Sequence, residues 1–71
     1  MQSATHSFGR LAQSVGGRSL RNQVLSSAAG FYIGTLDDDG LPYSRESPYF
    51  ATAELAEAAL ASGSWDQRLS P

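Results

Sequence analysis

Cysteine and lysine are both absent from this 71-residue chain, and histidine, methionine and tryptophan occur once each. Without cysteine there is no disulfide, no thiolate zinc site and no Cys–His nucleophile pair. The single His6 would have to be carried into a fold before a Ser-His-Asp triad could exist. There is no Walker A loop and no G-x-G-x-x-G. No apolar run approaches the ~20 residues of a membrane span, and the N-terminus lacks the apolar core of a secretory signal. Residues 1–29 hold Arg, many Ser and no acid, a composition shared with transit peptides, but Gly16-Gly17 and a weak apolar stripe argue against an amphipathic presequence. The expectation is a cytoplasmic, non-catalytic protein with no membrane association, no cofactor and no metal.

A chain this short forms one domain and buries only about 60% of its unfolded surface. Domains of this size lean on disulfides, metals or oligomerisation. Here a homodimer, or folding onto a partner, is the expected stabiliser. The net charge of −2 hides a split. Residues 1–35 carry Arg10, Arg18 and Arg21 and no acid, while residues 36–71 carry all seven acids against Arg45 and Arg68. Such asymmetry marks a nucleic-acid arm or a solvated tail. All five basic residues are Arg, whose planar fork suits bidentate contacts; a GC-rich genome gives the same bias without function.

Along the chain, Phe8, Leu11 and Val15 fit one helical face, but Gly9 and Gly16-Gly17 weaken it, so residues 1–17 read as frayed. Leu20, Val24 and Ala28 repeat at helical spacing, with Ser19 as a start and Gly30 as a stop, which predicts a short helix over residues 18–28. Phe31 to Leu36 is rich in strand formers. Asp37-Asp38-Asp39-Gly40 is turn chemistry. Residues 41–47 then alternate as a second strand, with Pro42 confining it to an edge. Phe31, Ile33 and Tyr43 are the expected buried face, and Tyr49-Phe50 a short third strand. Thr52 caps an alanine-rich helix from Ala53 to Ser62, with Glu54 and Glu57 near its positive end and Gly63 as its stop. Leu55, Ala59 and Ser62 define one side of it, with Ala56 and Leu60 adjacent, and Trp65 folds back as a lid on the core.

Thr35 to Glu46 partly matches an EF-hand loop, with Asp37, Asp39, Gly40 and Glu46 in register. Thr35 replaces the first acid and the flanks read as strands, so a solvated acidic turn is the expectation. Arg45 among hydroxyls suits a phosphate or carboxylate, or is half of an ordinary exposed Arg–Glu pair. Tyr32, Tyr43 and Tyr49 cluster with Phe31 and Phe50 beside Arg45. One helix cannot cover both faces of a sheet, so some of these rings stay exposed as protein anchors or base-stacking platforms.

The residues Gly30-Phe31-Tyr32-Ile33-Gly34-Thr35, Gly40-Leu41-Pro42-Tyr43-Ser44-Arg45-Glu46-Ser47, Tyr49-Phe50, Thr52, Glu54, Glu57-Ala58-Ala59-Leu60 and Trp65 resemble a set of short proteins carried on bacterial plasmids and phages. The resemblance covers a little over half of the chain. It implies a mobile-element context rather than a mechanism, and such elements encode small inhibitors of host defence, anti-CRISPR proteins among them. The predicted βββα order is also similar to AP2-type and integrase arm-binding domains, which need a basic sheet face.

The resulting expectation is an α+β fold. An antiparallel hairpin or three-stranded sheet in residues 30–71 is packed by one C-terminal helix, and residues 1–29 form a loosely ordered or helical basic arm. The expected function is binding to a protein partner, such as a nucleic-acid-handling host complex, through Asp37, Asp38, Asp39, Tyr32, Tyr43, Glu54 and Glu57. The alternative is a nucleic-acid-binding accessory protein using Arg10, Arg18, Arg21 and Arg45.

Overall fold

The computed structural model describes residues 7–70 of the chain. The order of elements is α1 (Arg10–Gly16), β1 (Gln23–Ser27), β2 (Gly30–Leu36), β3 (Pro42–Arg45) and α2 (Ala53–Ser62). The three strands form one antiparallel sheet in the order β1-β2-β3. The fold is α+β, as expected, but one strand of the sheet comes from a different segment.

The helix expected over residues 18–28 is a strand. Val24 pairs with Ile33 and Leu25 with Tyr32. A short isolated helix is unstable in water, whereas β1 reaches a complete partner strand through a two-residue turn. Ser27 supports that turn, its Oγ accepting from Ala29 N–H at 3.1 Å. Gly30 closes it at φ +136°. A domain boundary after residue 29 therefore falls inside a hairpin, and residues 23–27 of the N-terminal segment are part of the sheet. Tyr49-Phe50 does not form the third strand: Phe50 makes a single bridge to Phe31.

The other turn follows the sequence closely. Gly40 takes φ +79°, and Asp37 Oδ1 accepts from the N–H groups of Asp39 and Leu41 at 2.9 and 3.0 Å. β3 lies at the edge, where Pro42 costs no ladder hydrogen bond. The second helix spans the expected residues. Thr52 Oγ1 accepts from Leu55 N–H at 3.1 Å, and Gly63 ends the helix in the left-handed region. Its buried residues are Ala56 and Leu60, while Leu55 is 54% exposed. The inward stripe is thus rotated by one position from the one expected. Trp65 is half-buried, and its indole nitrogen is buried without a partner among the described residues.

Antiparallel pairing sorts the side chains onto two faces. Phe31, Ile33, Thr35, Val24 and Ser44 share one. Tyr32, Gly34, Leu25, Tyr43 and Arg45 share the other. Helix α2 packs on β1 and β2, and α1 on β3; together they leave Ile33 with no exposed surface. Tyr32, expected to be open, is also buried. Tyr43, expected to be buried, is 38% exposed.

Residues 10–16 are not frayed, because Glu46 holds them. Helix α1 begins at Gly9 with no side-chain cap of its own. The Glu46 carboxylate accepts from Leu11 N–H at 2.9 and 3.1 Å and from Ala12 N–H at 3.1 Å. It also accepts from Ser44 Oγ at 2.6 Å and Gln67 Nε2 at 2.7 Å. Since Ser44 donates its one proton to Glu46, Thr35 donates to Ser44, at 2.6 Å. Gly9 has to be glycine here: a Cβ would lie 2.6 Å from Glu46 Oε2 and from the Thr35 methyl. Glu46 is fully buried. Burial raises its pKa, but the hydrogen bonds from Leu11, Ser44, Gln67 and Ala12 outweigh it and hold the carboxyl below its usual 4.5. The exposed Arg45–Glu46 pair expected from the sequence does not exist. Adjacent strand residues point to opposite faces, and Glu46 points inward.

Candidate functional site

Several of the aromatic and Arg residues singled out in the sequence meet in a concavity that no helix residue lines. The Tyr32 ring lies beside Gly34. A Cβ at Gly34 would be 2.8 Å from the Tyr32 ring and would strike the Ser44 carbonyl. Tyr49 meets Tyr32 edge-to-face, with centroids 5.8 Å apart and planes at 85°. Arg45 stacks on Tyr49, its guanidinium carbon 4.2 Å from the ring centroid. Nη1 of Arg45 donates to the Ser47 carbonyl at 3.1 Å, which sets the orientation of the fork. Tyr32 is therefore a buried floor, not an exposed anchor; Tyr49, 44% exposed, takes that position.

These groups line a shallow open concavity of about 320 Å³, together with Tyr43, Pro42, Ser27 and Ser44. No helix residue lines it, and Arg45 is its one charged group. At its edge, Arg18 sits over Tyr43 at 5.4 Å and pairs with Asp38 at 3.2 Å. The Asp38 side chain is 90% exposed, so this ion pair adds little stability. Tyr43 reaches α1, where its hydroxyl occupies the space a Cβ at Gly16 would need.

The acids expected to act together do not form one patch. The turn Asp37–Asp39 follows the last residue of β2, whereas the chain enters α2 from Phe50, which bridges to Phe31 near the start of that strand. Six residue steps along β2, from Phe31 to Asp37, separate the two attachments by about 20 Å. Asp37 is committed to its own turn, and Asp39, Glu54 and Glu57 are exposed. Among the described residues, no group of three or more His, Asp or Glu is placed to hold a metal ion. The four arginines are not gathered either. Arg18 and Arg45 lie on tyrosines, while Arg10 and Arg21 are exposed near Phe8. His6 lies outside the described residues.

Glu46 is the residue that sequence reasoning missed. Two signals point to it in retrospect: a helix start at Gly9 with no capping side chain, and a strand acid flanked by Ser44 and Ser47. Among the described residues no helix is long and apolar enough to cross a membrane. Comparison with protein-family models, with curated proteins and with solved structures finds no match to this chain.

Proposed function

We propose that this is a non-catalytic binding protein that docks on a protein partner through the concavity lined by Tyr43, Arg45 and Tyr49. One observation carries the reading: two exposed tyrosines and a stacked arginine share a concavity on a rigid sheet. Tyr and Arg are the residues enriched at interface hot spots. The resemblance to mobile-element proteins supplies a context, with a host nucleic-acid-handling complex as the partner and inhibition of host defence as the outcome. The acidic turn becomes a rim feature rather than the centre of the surface.

The test is retention of a partner from host extract by wild type and three variants. Tyr49→Ala and Arg45→Gln are expected to lose the protein that wild type retains, and Asp39→Lys to keep it. Loss on Asp39→Lys alone would return the site to the acidic turn.

The second reading, nucleic-acid binding, is favoured by Arg10 and Arg21, which are exposed around the 56% exposed Phe8. Phosphate contacts from these groups would give an affinity that falls steeply with salt. A low-salt mobility-shift assay with wild type and the Arg10→Gln/Arg21→Gln double variant decides it: no shift by wild type removes the reading.

A further inference from the structure

The binding reading can be carried one step further, to the chemistry of the partner, and the step rests on that reading. The concavity carries one charge, the Arg45 cation, and no acid, in a chain whose net charge is −2. The local sign is therefore opposite to that of the molecule. A complementary group has to be an anion, and it has to be small enough not to meet the acids outside the concavity.

Two features separate a carboxylate from a nucleic-acid strand. First, both exposed tyrosines already carry a guanidinium on one face, Arg45 on Tyr49 and Arg18 on Tyr43. That is the position a stacked base would take. Second, a polyanion leaving the concavity past Tyr43 would meet Asp38, which already competes for Arg18. A single side-chain carboxylate meets neither obstacle. A guanidinium held over a ring, with Nη1 fixed by the Ser47 carbonyl, keeps other N–H donors for a carboxylate.

We propose that this face takes an Asp or Glu side chain of a protein partner, with the carboxylate on Arg45 and the flanking residues against Tyr43 and Tyr49.

Displayed random peptides selected on the intact protein test this while the natural partner is still unidentified. The expected result is a set of binders with Asp or Glu at one fixed position. Replacing that acid by its amide should weaken binding at least about tenfold. Arg45→Gln should do the same, and the two changes together should cost little more than either alone. The peptide-side change needs no folded variant. Binders without a fixed acid that are lost on Tyr49→Ala overturn the carboxylate and leave the docking face standing. Binders indifferent to both Tyr49→Ala and Arg45→Gln, or no binders at all, overturn both. Binding of oligothymidylate at low salt that is lost on Arg45→Gln also overturns the carboxylate, in favour of phosphate.

Discussion

The two faces of this sheet use polar groups in opposite ways. On the Ile33 face, Thr35, Ser44 and Glu46 form a closed chain in which every hydrogen bond ends inside the molecule. On the Tyr32 face, Tyr43, Tyr49 and Arg45 line an open concavity. Buried polar groups are strongly destabilising when their partners are removed, whereas exposed ones cost little. On the proposed function, stability rests mainly with the first face and recognition with the second. Substitutions that break this division are the ones worth making.

The largest effect is expected at Gly34, on the Tyr32 face and close against the backbone of β3. A methyl group there strikes the Ser44 carbonyl, a backbone atom of the paired strand, as well as the Tyr32 ring. Relief requires β2 and β3 to separate. Gly34→Ala should therefore cost about 3 kcal/mol or more, out of roughly 4–10 kcal/mol for a domain of this size. Thermal denaturation followed by circular dichroism should show a Tm lower by more than about 10 °C. A Tm within a few degrees of wild type would mean that β2 and β3 accommodate a side chain at Gly34 without separating.

Next comes Glu46→Gln, which keeps the shape but replaces an acceptor oxygen by an NH2 group. That group would face the N–H of Leu11 or Ala12, or the Gln67 amide, donor against donor. The expected loss is about 2–3 kcal/mol by urea unfolding, with faster amide exchange at Leu11 and Ala12. The pH dependence gives a second check. The folded pKa of Glu46 is below its usual 4.5, so its contribution is complete above that value and is lost as the pH falls through the folded pKa. The stability gap between wild type and Glu46→Gln should narrow on acidification below about 4.5. A constant gap would show that the carboxylate is not the group that matters.

How far the sequence could reveal this division depends on how local each cause is. Thr52, Gly63 and the Asp37–Gly40 turn act within four residues of themselves, and all three were readable. Residues 23–27 were not, because the interval of four between Leu20, Val24 and Ala28 keeps one face in a helix and in a strand alike; what decides is the pairing of Val24 with Ile33 and Leu25 with Tyr32 across the hairpin. Glu46 was hidden for the same reason, its main partners being 35 and 34 positions away. The tyrosine cluster was readable as a set. Which ring is the floor was not, since that depends on Tyr49 folding against Tyr32 from 17 positions away.

A smaller effect is expected at the lid of the closed face. Thr52→Ala removes the acceptor for Leu55 N–H and should cost about 1 kcal/mol. Partner binding at equal folded fraction should be unchanged. A binding loss without a stability loss would place the start of α2 in the interface.

The smallest effect on stability, and the sharpest separation of the faces, is expected at Gly16. The Tyr43 hydroxyl occupies the space of its missing Cβ. The obstacle is the far end of a flexible, 38% exposed side chain, so Gly16→Ala should be relieved by rotation of Tyr43 rather than by movement of α1. Alanine in place of helical glycine gains up to about 1 kcal/mol, which offsets the lost contact, and the net change should stay within about 0.5 kcal/mol by urea unfolding. Tyr43, however, would leave its seat beside Arg18. If that ring helps to shape the docking face, partner affinity drops while stability holds, and the Tyr43 ring resonances shift. A variant with displaced Tyr43 resonances and full affinity would shrink the recognition surface to Tyr49 and Arg45, because the edge of β3 would then be free to change without consequence.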